Sequence, residues 1–320
     1  MYEYSISKMK NYDSYTDTHT KESSACHYIC MERREAYPLY EIYQDQFPTG
    51  LIEIPDPPKK LFVRGTLPPK ENKLLAIVGS RNYSSYGKEV VAHLVGGLRG
   101  YPITIISGLA LGIDGLAHKS ALEQNLHTIA VPGSGLSDEV LYPRTNKHLA
   151  KEILKSGGGM LSEFEPDFRA TQWSFPQRNR IMAGISHAVL VIEATQKSGT
   201  LITSRLATDY NRDVLTVPNS FFSKNAEGPH MLIKLGAVPV TSADDILYTL
   251  GISANESPTK ETKGSFSKIE QKLLALLSEP HTHDEIIRAL DTEAGEANVL
   301  LMTMELKGYI KKTGDRYIGK

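Results

Sequence analysis

Small and cationic residues recur after the short apolar runs of this sequence, in a pattern suited to holding phosphate groups. Glycine and serine let a phosphate approach the backbone closely, and arginine and lysine supply the opposing charge. An aromatic side chain beside them can stack an unpaired base. The sequence therefore predicts a site for a phosphodiester or a nucleotide. The candidate residues are Gly79, Ser80, Arg81, Ser107, Gly108, Phe175, Arg178, Asn179, Arg180, Lys197, Ser198, Gly199 and Thr200.

The same residue types also have a plainer interpretation. Glycine and serine make tight turns, and the arginines can pair with carboxylates such as Glu163 or Glu193. One glycine-rich turn is common in any protein, whereas five such turns after successive apolar runs favour a binding site. Trp173 and Phe175 stand in one loop and can border that site, or they can pack beneath the loop as core residues.

Several enzyme and cofactor signatures are missing from the sequence. A dinucleotide fold needs G-x-G-x-x-G after its first strand, but Gly79 is followed by Ser80, Arg81 and Asn82. The phosphate-loop motif and the G-x-S-x-G nucleophile elbow are also absent, and the 10 histidines form no cluster with metal-ligand spacing. We therefore expect no catalytic residue, no cofactor and no metal.

Six short apolar runs, rich in β-branched residues, alternate with amphipathic stretches from Leu74 onward. Runs that are nearly continuous in apolar residues are typical of strands buried on both faces of a parallel sheet. The pattern predicts a Rossmann-like, doubly wound, mostly parallel α/β sheet, whose ligands bind beyond the carboxyl ends of the strands. The six runs read LLAIVGS, ITIISG, HTIAVPG, GMLSEF, AVLVIEA and DVLTVPN.

Composition changes along the chain suggest where its domains begin and end. Three amphipathic stretches and a hairpin turning at Gly314-Asp315 predict a small C-terminal winged helix. Its third helix carries Glu293, Glu296 and Glu305, which suits a protein-interaction or regulatory module better than phosphate docking. We expect a polar arm over 1–40, a proline-rich lead-in packed on the core over 41–72, the α/β core over 73–250, a linker over 251–265 and the winged helix over 266–320.

Overall composition limits the kinds of function that fit. The 320 residues are 40% hydrophobic and carry a net charge of −1, so any nucleic-acid site must be local and not a broad basic face. No apolar run is long enough for a membrane span, and the N-terminus lacks the apolar core of a signal peptide, so we expect a cytoplasmic protein. Cys26 and Cys30 are the only cysteines, and we expect them to be reduced and inert.

Taken in order, seven segments from about residue 57 to 250 resemble the DprA/Smf family of DNA-processing proteins. The resemblance implies a non-enzymatic protein that binds and protects single-stranded DNA and helps to load the RecA recombinase during natural transformation. It also implies that the candidate residues above line a DNA pocket, and that a homodimer forms near Met231 to Leu247. The segments are GSR, SGLALGID, the GSGL-YP-N series, SEF, FPQRNRIMAGIS, EATQKSGTLIT and the stretch from VPNS to GPHMLIKLGAV.

One enzyme remains as an alternative. A nucleoside monophosphate phosphoribohydrolase has a similar Rossmann-like core, and Glu163 or Asp114 would be its acid or base. The phosphate loop of those enzymes, PGGxGT, is replaced here by EATQKSGT. Asp114 is more simply a carboxylate in the first turn of a helix, and Glu163 a partner for nearby arginines.

Overall fold

A nine-stranded sheet organises most of the chain in the computed structural model, which describes residues 37–253, 267–290, 292–306 and 309–319. Its strands are β1 (Leu39–Tyr43), β2 (Lys60–Gly65), β3 (Lys73–Val78), β4 (Ile103–Ser107), β5 (His127–Ala130), β6 (Gly159–Ser162), β7 (Ala188–Val191), β8 (Asp213–Thr216) and β9 (Val238–Pro239). They lie in the order β1-β2-β6-β5-β4-β3-β7-β8-β9. Strands β3 to β9 are mutually parallel, and β2 is antiparallel to both β1 and β6.

Helices cover both faces of this sheet, because alternate residues of each strand point to opposite faces. Along β3, Leu74, Ala76 and Val78 enter one apolar core, and Leu75 and Ile77 enter another. The doubly wound, mostly parallel fold is therefore confirmed. The helices are α1 (Thr49–Ile52), α2 (Ser85–Gly97), α3 (Ile113–Glu123), α4 (Lys147–Lys155), α5 (Ser174–Ile185), α6 (Thr200–Asp209), α7 (Glu227–Lys234) and α8 (Ala243–Thr249).

The proline-rich lead-in contributes more to the core than the sequence suggested. Strand β2 lies inside the sheet, where Phe62 pairs with Ser162 and Val63 with Leu161. Proline at this density usually blocks a central strand, yet β2 occupies an interior position in the sheet. All six prolines of the segment flank this strand, so its backbone donors are free to pair. Strand β1 begins inside the stretch that we expected to be a polar arm.

The C-terminal residues form a second compact unit, and the boundary lies between residues 254 and 255. Three helices, α9 (Lys268–Leu276), α10 (His283–Leu290) and α11 (Ala294–Leu306), pack around a small apolar core. The hairpin of β11 (Ile310–Thr313) and β12 (Arg316–Gly319) turns at Gly314, which has a φ of +65°. The winged helix is thus confirmed, and the short strand β10 (His281–Thr282), which pairs with β12, was not predicted.

Some sequence-based expectations fall outside the described residues. These include residues 1–36 of the arm, Cys26, Cys30 and residues 254–265 of the linker. Within the described ranges, no helix combines the length and apolarity needed to cross a bilayer. The same ranges contain no group of three or more histidine, cysteine, aspartate or glutamate side chains placed to hold a metal ion.

His118 on α3 is a buried histidine that makes folding sensitive to acid. Its Nδ1 lies 2.8 Å from the Thr128 hydroxyl oxygen, which itself donates to the Ile105 carbonyl, so Nδ1 carries the proton. Burial lowers the pKa of His118 to about 3. Below its ordinary pKa of about 6.5, the unfolded chain therefore binds a proton that the folded chain excludes.

We predict that His118→Asn, which keeps a donor for Thr128, removes this part of the acid sensitivity. Wild type should be the more stable at pH 7, because the ring fills its site. Between pH 7 and pH 5, the difference in free energy of unfolding between wild type and His118→Asn should shrink by about 2 kcal/mol. Urea unfolding at both pH values measures the change. An advantage that stays constant with pH would contradict the prediction.

Candidate nucleic-acid interface

A cleft of about 610 Å³ opens where the strands in the middle of the sheet end. Strands β4 and β7 lie on opposite sides of β3, so the chain reverses its direction of winding at this point, which is the usual ligand position in such sheets. The structure brings nine of the thirteen predicted residues to the cleft wall. They are Gly79, Ser80, Arg81, Phe175, Arg178, Asn179, Ser198, Gly199 and Thr200.

Arg81 and Phe175 lie side by side in this cleft. The Arg81 guanidinium carbon is 5.4 Å from the centroid of the Phe175 ring. Within the described part of the chain, no carboxylate oxygen lies within 4.0 Å of the Arg81 guanidinium, so this exposed group offers an unmatched positive charge. The half-buried Phe175 ring packs near Tyr142, with 5.7 Å between centroids. Both interpretations of Phe175 therefore hold, since the ring is partly packed and partly lines the cleft.

Two glycines bring the turn after β4 close to the arginines. A Cβ atom on Gly108 would overlap the Arg178 guanidinium and lie 2.5 Å from the Asp114 carboxylate. Gly112 has a φ of +85°, and a Cβ atom there would lie 2.5 Å from the Cα atom of Arg81. A larger residue at either position would displace the cleft wall, so these glycines let the arginines take their positions.

Arg178 forms part of the cleft floor and is almost fully buried. Its Nη1 donates to the Val131 carbonyl. Burial lowers the pKa of Arg178 to about 10, although nearby Asp114 raises it, so the guanidinium stays charged at neutral pH. Because a charge held in a poorly solvated place acts over a longer distance than one in water, Arg178 can attract an anion from beneath the cleft surface.

Asp114 lies in the first turn of α3, where the sequence placed it. Its carboxylate accepts a hydrogen bond from the Gly108 N–H at 3.1 Å. Burial raises the pKa of Asp114, and the positive charge of Arg178 lowers it. The side chain is therefore engaged in fixing the turn after β4.

Four predicted residues lie outside the lining of the main cleft. Gly108 lines a small neighbouring cavity together with Arg81 and Phe175. Ser107 is buried and donates to the Ile77 carbonyl at 2.7 Å. Lys197 is exposed on the loop after β7. Arg180 is not part of the cleft lining, and its Nη2 donates to the Glu163 carboxylate.

Helix geometry explains why Arg178 and Arg180 separate. Two residues along an α-helix correspond to a rotation of about 200°, so the two arginines of α5 face nearly opposite directions. Arg178 faces the cleft, while the Nη1 of Arg180 donates to the Asp56 carbonyl in the proline-rich segment at 2.6 Å. The interpretation that Glu163 pairs with a nearby arginine holds for Arg180.

Glu193, at the end of β7, is a fully buried carboxylate that joins the cleft turns. It accepts hydrogen bonds from the Ser84 N–H at 2.9 Å and from the Asn225 side chain at 3.1 Å. Ser84 precedes α2, so a negative charge already occupies the positive end of that helix. The N–H groups at the start of α2 are therefore engaged by the protein itself. Within the described ranges, Glu193 forms no ion pair with an arginine.

Trp173 lies beside the cleft region but does not line the cleft. Its side chain is 55% exposed, so the interpretation of Trp173 as a core residue was wrong. The ring packs edge-on against Phe168, with 5.4 Å between centroids, and against Phe164 at 5.8 Å. One side of the Trp173 ring packs against Phe164 and Phe168, and the rest of the side chain faces solvent.

Sequence reasoning missed the side of the cleft that follows β8. Lys224 and Asn225 line it, and the Asn225 side chain donates to the Asn82 carbonyl at 2.9 Å. The predicted strand DVLTVPN correctly marks β8. Reading the chain beyond that sixth strand end, as for the other five, would have reached both residues.

Together the fold and this cleft define a class: a Rossmann-like α/β protein with a cationic and aromatic cleft, followed in sequence by a winged-helix unit. The family model for DNA recombination-mediator protein A matches residues 39–251, and the DprA winged helix domain matches residues 253–316. The chain therefore belongs to the DprA/Smf family of DNA-processing proteins, which confirms the resemblance.

Known relatives agree with this assignment. Protein Smf of Escherichia coli K12 is 35% identical over 298 residues, covering 91% of this chain and 79% of the relative. The structure of DNA processing protein A from Streptococcus pneumoniae matches with a TM-score of 0.61 and 39% identity, covering 70% of this chain and 77% of that one. A structure of DNA processing protein A from Helicobacter pylori, which concerns its single-stranded DNA binding mode, also matches. Its TM-score is 0.59 and its identity 29%, and the match covers 67% of this chain and 96% of that one.

We predict that Glu193→Gln lowers the free energy of unfolding by about 2 kcal/mol, because it replaces hydrogen bonds to a buried charge with weaker neutral ones. Urea unfolding measures the loss. Glu227→Gln is the matched control, since Glu227 is exposed and accepts a hydrogen bond from the Gln196 N–H at 3.2 Å. Its effect should stay within about 0.5 kcal/mol. Equal losses in both variants would show that Glu193 has no special structural role.

Proposed function

We propose that this protein binds single-stranded DNA in the cleft at the ends of β3, β4 and β7, protects the incoming strand and performs no catalysis on it. The observation that carries the proposal is the pairing of Arg81 with Phe175. An arginine fork can hold a phosphate through two hydrogen bonds, and a phenylalanine face beside it can stack the attached base. The single-stranded DNA binding mode described for the Helicobacter pylori relative supports the proposal.

A single strand suits this cleft better than a duplex. In a duplex the bases are already paired and stacked, so an aromatic ring inside a cleft has no free base face to contact. The net charge of −1 also gives the chain no overall attraction for the phosphates of a duplex. The proposed contacts are the nine predicted residues of the cleft wall, of which Arg81 supplies the exposed charge.

We extend the proposal to the partners that the family resemblance implies. The protein would act in the cytoplasm, as a homodimer, and help to load RecA on the bound strand during natural transformation. An apolar groove between α6 and α7 supports the proposed dimer surface. Within the Met231–Leu247 segment, Leu235 is 75% exposed beside this groove, whose walls include Leu201, Leu206 and Met231.

The phosphoribohydrolase alternative gains no support from its two candidate carboxylates. Glu163 lies outside the cleft lining and pairs with Arg180. Asp114 reaches the cleft lining but is buried, and its carboxylate is engaged by the Gly108 N–H. Neither arrangement presents a free acid or base to a nucleotide.

The proposal is tested by titrating the protein with labelled oligo-dT and with a duplex of equal length at several salt concentrations. We expect clearly tighter binding of the single strand, because only unpaired bases can stack in the cleft. Equal affinity for the two forms would contradict the proposal. Release of free base from a nucleoside monophosphate would instead establish the enzyme.

Arg81→Ala and Phe175→Ala should weaken binding in different ways. Losing the Arg81 phosphate contact should reduce affinity for all sequences alike and flatten the slope of log affinity against log salt by about 0.7. Phe175→Ala should cost about 1 to 3 kcal/mol in binding but leave that slope almost unchanged. Fluorescence anisotropy with oligo-dT at several salt concentrations measures both.

Two controls make this comparison decisive. Each variant must match wild type in thermal stability, because the Phe175 ring is partly packed. Lys197→Ala removes an exposed positive charge that lies outside the cleft lining, so it should change the affinity less than Arg81→Ala does. If both cleft variants bound oligo-dT as wild type does, the cleft would not be the DNA site.

A further inference from the structure

The loop after β8, residues 217–226, borders the cleft through Lys224 and Asn225 and is fastened to α2 and to the turn after β3. The Tyr86 hydroxyl donates to the Pro218 carbonyl at 2.7 Å, near the beginning of the loop. Near its end, the Asn225 side chain donates to the Asn82 carbonyl at 2.9 Å. The loop is therefore held in place on both sides of its tip.

Two phenylalanines occupy that tip with their rings in solvent. Phe221 is 90% exposed and Phe222 is 100% exposed. The Phe221 ring rests near the His230 ring, with 5.1 Å between centroids, which restricts its orientation. Exposed apolar surface of this kind contributes nothing to the stability of the fold, and adjacent exposed apolar residues often mark a binding site.

The position of these rings relates them to the DNA cleft. Phe175 packs over Gly133, which follows β5, whereas Phe221 and Phe222 follow β8. Strands β4, β3 and β7 lie between β5 and β8, so these two strands are four strand spacings apart, about 19 Å. The cleft lining includes the exposed charges of Arg81, which follows β3, and of Lys224, which lies on the same loop as the two phenylalanines. A strand bound at Phe175 and Arg81 that continues toward Lys224 would approach the loop that carries Phe221 and Phe222.

We propose that Phe221 and Phe222 form a second base-stacking site, for unpaired bases of the same strand that Arg81 and Phe175 hold. This inference rests on the proposed single-stranded DNA function and adds to it a contact that fixes the length of the occupied strand. A nucleic acid is favoured over an apolar protein surface because the same loop carries polar and cationic side chains. These are Asn219, Lys224 and Asn225. Aromatic stacking of this kind accepts any base, so the site adds affinity without sequence preference.

The double variant Phe221→Ala/Phe222→Ala tests the proposal through the length of the oligonucleotide. With oligo-dT of about 16 nucleotides, which can span both aromatic places, we expect binding about tenfold weaker than wild type. With oligo-dT of about 6 nucleotides, held mainly at Phe175 and Arg81, the affinity should change less than about twofold. The salt dependence should be unchanged for both lengths, because no phosphate contact is lost.

Substitution by leucine separates stacking from simple apolar contact. Phe221→Leu/Phe222→Leu keeps apolar bulk but loses the flat aromatic faces, so it should bind as weakly as the alanine variant does. Phe221→Tyr/Phe222→Tyr keeps the aromatic faces, so it should bind the long oligonucleotide as wild type does. Tyr43→Ala is the matched control. Tyr43 is an aromatic residue, 52% exposed, on β1 at the far edge of the sheet, and its loss should leave binding unchanged.

The outcomes distinguish this inference from the proposed function. If Arg81→Ala weakens binding at both lengths while the double alanine variant binds the long oligonucleotide as wild type does, the second site is wrong and the cleft stands. Wild-type binding by the leucine variant would also overturn the stacking site. If wild type binds no single-stranded DNA, both proposals fall. A double alanine variant that loses self-association in sedimentation, but keeps DNA affinity, would assign the tip to a protein interface instead.

Discussion

The buried carboxylate of Glu193 is the interaction on which the geometry of the cleft depends. Its backbone carbonyl accepts from the Ser80 N–H at 2.7 Å, and its side chain accepts from the Ser84 N–H and from Asn225. One residue at the end of β7 thereby joins the turn after β3, the beginning of α2 and the loop after β8. Since a buried charge is stable only when it is fully hydrogen-bonded, these three segments are held in one arrangement.

This arrangement also decides how the cleft can bind a polyanion. With a carboxylate at the start of α2, the positive end of that helix is neutralised from within the protein. Attraction must come from side chains instead, and the structure provides Arg81 at the surface and Arg178 beneath it. A chain with a net charge of −1 can therefore present a local positive site without an overall basic surface.

The parts of the structure that could be predicted are those in which local pattern and environment agree. Strands β3 to β7 are buried on both faces and β8 in its second half, so their apolar runs identify them. Gly79, Arg81 and Gly199, in the turns that follow β3 and β7, line the cleft. Strand β2 could not be read in the same way, because its place in the sheet depends on pairing with β6. Arg180 lies apart from Arg178 and from the cleft lining, because two residues close in sequence need not share one helix face. Lys224 and Asn225 lie between the VPNS and GPHMLIKLGAV segments, in residues that neither segment covers.

The interior position of β2 has a consequence for how the protein is made. Phe62 pairs with Ser162, so this strand leaves the ribosome about 100 residues ahead of its partner. At a synthesis rate of about 5 to 20 residues per second, the nascent chain carries the edge of β2 that later meets β6 unpaired for about 5 to 20 s. During that interval β1 can pair only with the other edge. An unpaired strand edge can associate with other chains, so β2 is open to such association until β6 has been synthesised.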